Sequence, residues 1–461
     1  MGRGSFGDAG GSPAGAFLFI GRERSRQPAS FGSIRVSVGC RRSIGGVLSS
    51  VGCPETGNHP HNPNRPGRCP DRLSWAFMAG RQRATRSGHA KFDAFRGRIR
   101  RLRASMRAGS ISHLVVSNPT DVGYLTGFLG GDSVLIVGPG KPVLVSDSRY
   151  QEELESFKPL VRVVMRRGAM MPAIAGVLRA LHDRGTLDSL GVQSEHLTLA
   201  AERSLRAAMK KQRLPLRLIT PTTGLVGALR RVKGPEEIRL IKDAIRIQQG
   251  ALLAALGHLS AGMTEIEFAA ELEYQMKTRG STEPAFGTIV AAGANGSLPH
   301  YTPADEPIRR GRPLLIDWGA TYKGYRGDMT RTFFLGRGQR ELKAIYTIVH
   351  EAHLAAAAAI KPGKTGAEID AVARKIIEDA GYGDCFGHGL GHGLGMDVHE
   401  SPGLNRFASS EVLEPGHVVT VEPGIYLPGV GGVRIEDDFV VTARGSRNLC
   451  DLPKDPEWAT I

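Results

Sequence analysis

The chain has 461 residues, enough for two or three domains, with 41% hydrophobic and 23% charged residues, the balance of a water-soluble globular protein. No stretch approaches the roughly 18–20 apolar residues that a membrane-spanning helix needs, and no membrane partner is expected. The formal charge of +15 suggests nucleic acid until it is located: residues 1–88 hold 13 arginines, no lysine and 4 acidic residues, so this segment carries +9 of it. The remainder is only mildly basic, and no nucleic-acid partner is expected for it.

Residues 1–88 are rich in Gly, Ser, Pro and Arg and show little periodicity. Such a segment buries too little apolar surface to offset its ordering entropy, and is expected to be a disordered or spurious basic extension. A transit peptide would share this composition. The simpler expectation is that translation starts at Met78. The run "AGAFLFIG" is short for a signal-peptide core. Three of the five cysteines (Cys40, Cys53 and Cys69) lie here in no zinc-finger spacing, leaving Cys385 and Cys450 in the body. That usage suits a reducing compartment, and a cytoplasmic location is expected.

From about Lys91 the texture changes. Phe92, Phe95, Ile99, Leu102 and Met106 recur at helical spacing, with arginines on the other face. "HLVVSN", "SVLIVG" and "PVLVSD" read as strands, and "MPAIAGVLRALHDRG" and "LAAERSLRAAMKKQ" as helices. Residues 89–225 therefore form a smaller α/β domain. Gly234-Pro235 and two glutamates then open a long helix. Thr264 with Glu267, and Thr365 with Glu368, are capping boxes that start two more, the first ending at Gly280. Strand-like runs lie between and after them: "FGTIVAAG", "RPLLIDWGATYKGYRGDMTRTFFLG", "HVVTVEPGIYL" and "GGVRIEDDFVVT". Residues 226–450 form a second, α+β domain with paired helices on antiparallel strands.

Acids fall inside these apolar runs: Asp317 in "LLIDWG", Asp328 eleven residues later, Glu422 in "VVTVEPG" and Glu436 in "VRIEDDF". Singly, each has an ordinary explanation: a turn Asp before Gly, a strand-end Glu before Pro, an exposed acidic turn. Together they do not, because a buried carboxylate neutralises or finds a cation. The stretch between Asp317 and Asp328 is hairpin-like, with Gly324 or Gly327 free to turn, so two strands can present both acids on one face. In "FGHGLGHGLGMDVHESPG", His388 and His392 stand four apart. Glycine disfavours a helix there, but a pleated strand also returns both to one side. Four acids and a histidine pair suggest a metal centre.

On these residues the chain resembles the pita-bread metallopeptidases, in their Xaa-Pro branch of aminopeptidase P and proline dipeptidase. Five motifs stand in order: "LPHYTP", "IDWGATYKGYRGDMTRTF", "GHGLGHGLGMDVHESP", "VVTVEPGIY" and "GGVRIEDD". Upstream, "SNPTDVGYLTGF" and "LVSDSRYQEE" are similar to a creatinase-like N-terminal domain, which methionine aminopeptidases generally lack. The resemblance implies a pita-bread catalytic domain and a metal-dependent exopeptidase that hydrolyses the Xaa-Pro bond at a peptide N-terminus or in a dipeptide. It implies two divalent ions, Mn²⁺ first with Co²⁺ or Zn²⁺ as alternatives. Asp317 would bind one, Asp328 and Glu436 would bridge, and His392 and Glu422 would complete the other. His300, His388 and His399 would surround the substrate, Glu422 would move a proton, and Arg434 would support the ligands. A homodimer or larger homo-oligomer is implied as well. A creatinase-like amidinohydrolase and a non-catalytic binding protein are the rival classes, and the full set of acidic positions argues against both.

Overall fold

The computed structural model describes residues 92–260 and 262–461; the basic extension, its three cysteines and Met78 lie outside these. Helix α1 (Asp93–Ala108) buries Ile99, Leu102 and Met106, the expected stripe. It leads into β1 (His113–Val116), α2 (Pro119–Thr126), β2 (Val134–Val137), β3 (Val143–Ser146), α3 (Gln151–Glu155) and β4 (Arg162–Met165). Then come α4 (Met170–Asp183), β5 (Leu190–Gln193), α5 (Leu199–Lys211) and β6 (Ile219–Thr222). The strands form one sheet in the order β4-β3-β2-β1-β5-β6, with β2 antiparallel to both neighbours and the other pairs parallel. Sequence reasoning named the first three strands and missed β4 to β6, whose composition is less apolar or whose runs are short.

Both faces of this sheet are covered. Leu114, Val116, Leu135 and Val137 pack with α1, while Val115, Val134, Ile136 and Val192 pack with α4 and α5. That is the period-2 alternation of a strand buried on both sides. The first of these cores also includes Trp318, Met329 and Phe333 from the second half, so the apolar interior is continuous across residue 225.

The second half begins with α6 (Gly227–Arg231) and the long α7 (Pro235–His258), followed by α8 (Glu265–Thr278), whose capping box of Thr264 and Glu267 forms in both directions. The chain then runs through β7 (Ile289–Ala292), β8 (Pro313–Trp318), β9 (Thr321–Tyr322), β10 (Tyr325–Arg326) and β11 (Met329–Phe334). The turn between β9 and β10 is Lys323–Gly324, with φ of 50° and 80°, the left-handed pair that a two-residue hairpin needs. Gly324 is thus the turning glycine of the two considered.

Helix α9 (Arg340–Ala359) was not anticipated, although Leu342, Ile345, Val349, Ala352 and Ala356 keep its buried stripe. It pairs with α10 (Gly366–Asp379), which Thr365 and Glu368 cap as expected. The remaining strands are β12 (Gly391–Gly393), β13 (Glu400–Leu404), β14 (Val418–Val421), β15 (Gly424–Leu427), β16 (Gly431–Arg434), β17 (Asp437–Val441) and β18 (Ser446–Asn448). Sheets β11-β8-β7 and β13-β12-β14-β17-β18 each lie against one helix pair, α7 and α8 or α9 and α10. One plan is used twice, down to the capping threonines, which each make an isolated bridge: Thr264 with Pro307, Thr365 with Val412. The chain past residue 450 closes the β11 edge, where Phe334 N–H donates to Ala459 O at 2.7 Å.

Gly319 sits where β8 leaves for the hairpin. A Cβ there would lie 2.2 Å from Gly327 O and 2.8 Å from Ala285 Cβ. Gly319→Ala should therefore cost about 1–3 kcal/mol by overpacking. Gly176→Ala, on an exposed α4 position with open space around it, should be neutral or stabilise by up to about 1 kcal/mol. Urea denaturation of the two variants checks the contrast, and equal stabilities would contradict the packing described.

Candidate metal centre and active site

Strand pairing brings the acids together. Thr330 lies opposite Asp317 across the β8–β11 ladder, and Asp328 is two residues before Thr330, so all three share a face. Glu422 falls in the break between β14 and β15, and Glu436 in the break between β16 and β17. Their backbones are tied to neighbouring segments: Glu422 N–H donates to Leu390 O at 2.8 Å and Glu436 N–H to Thr330 O at 3.1 Å. These acids, with His300, His388, His392, His399 and Arg434, all line one cavity of about 610 Å³. Glu436, Asp437 and Asp438 are fully buried, which removes the exposed-turn reading.

The two histidines of "HGLGH" are not on one strand. His392 is the middle of β12, whereas His388 sits in a bend before it. The glycines explain the local form: a Cβ on Gly391 would lie 2.1 Å from Thr420 O, so the backbones of β12 and β14 meet only without one. His392 Nδ1 donates to Gly393 O at 3.1 Å, which leaves the Nε2 lone pair 3.4 Å from Glu422 and 3.7 Å from Asp328. Donor atoms of Asp328, His392 and Glu436 lie within 4.8 Å of one another. Asp317 Oδ1 and Asp328 Oδ1 are buried and accept no hydrogen bond among the described residues. An oxygen-rich pocket with orphaned carboxylate oxygens and an imidazole lone pair fits hard or borderline divalent cations.

His388 is differently placed from His399. Its Nδ1 donates to Gly389 O and its Nε2 accepts from the Tyr426 hydroxyl, each at 2.8 Å. Both ring nitrogens are engaged within the protein. Tyr426 Oη accepts from Arg434 at 2.8 Å, and Arg434 donates in turn to Asp317 Oδ2 at 2.6 Å and to Thr330 Oγ1 at 3.0 Å. The Thr330 hydroxyl donates in turn to Glu436 Oε2 at 2.7 Å. His399 and His300 are exposed on the cavity wall, and the His399 ring meets His392 edge-to-face at 4.2 Å. Sequence reasoning missed Thr330, Tyr426 and Asp438. Thr330 was legible as the period-2 neighbour of Asp328; Asp438, which accepts Asp328 N–H at 3.0 Å, looked like one of a run of surface acids.

The electrostatics are those of like charges confined without enough cation. Burial, then the charges of Asp317 and Asp438, holds Asp328 well above the carboxylate range. Burial, then Asp328 and Glu422, does the same to Glu436. Burial raises Asp317 and lifts Glu422 to about 8, with Arg434 opposing both. Burial drives His392 down to about 3 and His388 to about 4, so both imidazoles are neutral.

Fold and cavity together define a two-domain metallopeptidase. Residues 239–443 match metallopeptidase family M24, and residues 98–232 match the creatinase/prolidase N-terminal domain. The chain is 38% identical over 358 residues to the uncharacterized peptidase YqhT of Bacillus subtilis, covering 78% of this chain and 99% of that one. It is 37% identical to an Xaa-Pro dipeptidase from Bacillus anthracis of known structure, with a TM-score of 0.73 over 78% of this chain and 99% of that one. An X-Pro aminopeptidase from Thermotoga maritima is 35% identical, with a TM-score of 0.69 over 76% and 99%. The chain belongs to metallopeptidase family M24, with the creatinase/prolidase N-terminal domain and the pita-bread fold, and family M24 enzymes use divalent metal ions.

The raised carboxyl groups give a pH signature. A carboxyl whose folded pKa lies above its unfolded value stabilises the protein fully below the unfolded pKa and loses that contribution as pH rises to the folded one. For Glu422 the window runs from 4.5 to about 8. Buried neutral histidines have the opposite sign, but only below 6.5. The metal-free protein should therefore lose stability between pH 6.5 and 8, and saturating Mn²⁺ should remove that loss by favouring the ionised carboxylates. Thermal unfolding with and without Mn²⁺ checks this; a metal-free Tm that rises through the window would contradict it.

Proposed function

We propose that the chain is a metal-dependent exopeptidase that hydrolyses the bond before proline, at the N-terminus of peptides or in Xaa-Pro dipeptides. The observation that carries the reading is the convergence of Asp317, Asp328, His392, Glu422 and Glu436 on one cavity, with orphaned carboxylate oxygens inside it. The names of the relatives, dipeptidase and aminopeptidase alike, point to the same bond. Two divalent ions are proposed, Mn²⁺ first: Asp317 on one, Asp328 and Glu436 shared, His392 and Glu422 on the other. The reading extends to a cytoplasmic homodimer or larger homo-oligomer acting on proline-containing peptides.

Bound there, the ions would supply Lewis acidity, lowering the pKa of a water and offsetting negative charge on the scissile carbonyl oxygen. The chain's own residues do the rest. Glu422, ionised once divalent charge faces it, takes a proton from the water and returns it to the prolyl nitrogen as the carbon–nitrogen bond breaks. That nitrogen belongs to a tertiary amide with no N–H, so the site needs no acceptor for one. His399, exposed on the cavity wall, donates to the carbonyl oxygen as it gains charge. His388 is assigned a positioning role, since Tyr426 and Gly389 occupy both its nitrogens. Arg434 fixes Asp317 and, through Thr330, Glu436.

Release of glycine from Gly-Pro and from Gly-Pro-Ala with added Mn²⁺ tests the activity and separates dipeptidase from aminopeptidase; no hydrolysis of either with any divalent ion would overturn the reading. Asp328→Ala should abolish activity and metal binding while the fold survives. His399→Ala should keep its metal and lose about 10²–10³ in kcat, by analogy with deleted oxyanion donors. Equal metal loss in His392→Ala and His399→Ala would mean that the two roles are wrongly divided.

A further inference from the structure

Beside the metal cavity, on the far side of His399, lies a second cluster of charges that the mechanism above does not use. Arg230 of α6 donates to Asp121 of α2 at 2.7 Å, to Asp397 at 2.5 Å and to Glu400 at 2.5 Å. Lys233 donates to the other oxygen of Glu400 at 2.9 Å. Asp121 is completed by Gln193 at the end of β5, and Asp397 by the Thr120 hydroxyl. Arg230, Lys233 and Asp121 are buried, so this is an ion cluster out of water rather than a surface decoration. It joins residues of the N-terminal sheet and α2 to the segment that carries His399.

The geometry points to Glu400 and Arg230 as positioning residues for His399, through which the N-terminal domain sets the active-site geometry; this rests on the function proposed above. Glu400 Oε1 also accepts the backbone N–H groups of Met396 and Asp397, at 2.9 and 3.0 Å. The chain from 395 to 400 is therefore wrapped around one carboxylate, and a Cβ on Gly395 would sit 2.7 Å from that carboxylate. The outer side of the loop is held by Arg326, which donates to Met396 O and, through its N–H, to Gly395 O. His399 is the residue between this clamp and the cavity, and it has no secondary structure of its own. A buried ion cluster is weak evidence for stability, because well-packed apolar side chains stabilise as much without desolvating charge. What charges add is a single loop conformation, and a reacting group misplaced by about 1 Å can cost on the order of 10²-fold in rate.

A double-mutant cycle tests this. In Glu400→Gln one amide face must meet either Lys233 or the two backbone N–H groups as a donor, so the loop loses its fixed form. We expect full metal content, KM within about threefold, and kcat lower by roughly 10- to 100-fold. Added to His399→Ala, the substitution should cost nothing further, within about twofold. Asp397→Asn, at a half-exposed position, carries the same cycle if Glu400→Gln fails to fold. A readout without substrate separates this inference from the proposed activity: with ¹⁵N-histidine label, the His399 ring signal should shift or broaden in Glu400→Gln. Losses that multiply with His399→Ala, or an unchanged His399 signal, would overturn the inference. An inactive wild type with a displaced His399 signal would instead overturn the function.

Discussion

Repulsion between carboxylates that cannot reach water is the constraint on which the catalytic half depends. Two unit charges 4 Å apart at an effective dielectric near 20 oppose each other by about 4 kcal/mol. Here Asp317, Asp328, Glu422 and Glu436 face one cavity, Asp438 stands behind them, and Arg434 is the guanidinium among them. Such a cluster persists only if the scaffold is stiff and if protons or a cation neutralise part of the charge. Stiffness comes from the two helix pairs and from hydrogen bonds that clamp strand ends. Gln248 of α7, for example, accepts from Trp318 Nε1 and from Ala320 N–H, fixing β8 immediately after Asp317. On the other side Arg331, fully buried, pairs with Asp437 and donates to Glu436 O, holding the backbone that carries Glu436. Positive charge is what a divalent cation brings, and the same groups that hold protons in its absence ionise to become its donors.

The N-terminal domain is more than a neighbour in this arrangement. Its apolar core runs into that of the catalytic half, and its Asp121 and Thr120 reach the ion cluster beneath the His399 loop. The two sides of the cavity are thus held in different ways. Asp317 rides on a paired strand, and Asp328, Glu422 and Glu436 sit at the ends of others, so ladders set their positions, while His399 rides on a loop, whose position is set by charges.

Most of this could be read from the sequence, because the informative residues break a local pattern. Asp317 and Glu422 interrupt apolar strands, and a polar group in such a run has a reason to be there. The capping boxes at Thr264 and Thr365 were equally plain, being short-range devices. What escaped were long-range partnerships. Nothing local to Arg230 says that Glu400, 170 residues away, will receive it. Asp438 resembles a solvated acid until β17 is seen to be buried. The spacing of His388 and His392 suggested one side of one strand, whereas His388 sits in a bend before β12 with its ring nitrogens taken by Gly389 and Tyr426. Helix α9 was overlooked for a different reason: its alanine-rich end carries little hydrophobic contrast to mark its face.

Anomalous diffraction at the manganese edge, from Mn²⁺-soaked crystals of the full chain, tests the carboxylate cage most directly. Two peaks are predicted in the one cavity, one against Asp317 and the other against His392 and Glu422, with Asp328 and Glu436 between them. Peaks elsewhere on the surface, or none in the cavity at saturating metal, would contradict the proposal that these side chains form the metal centre.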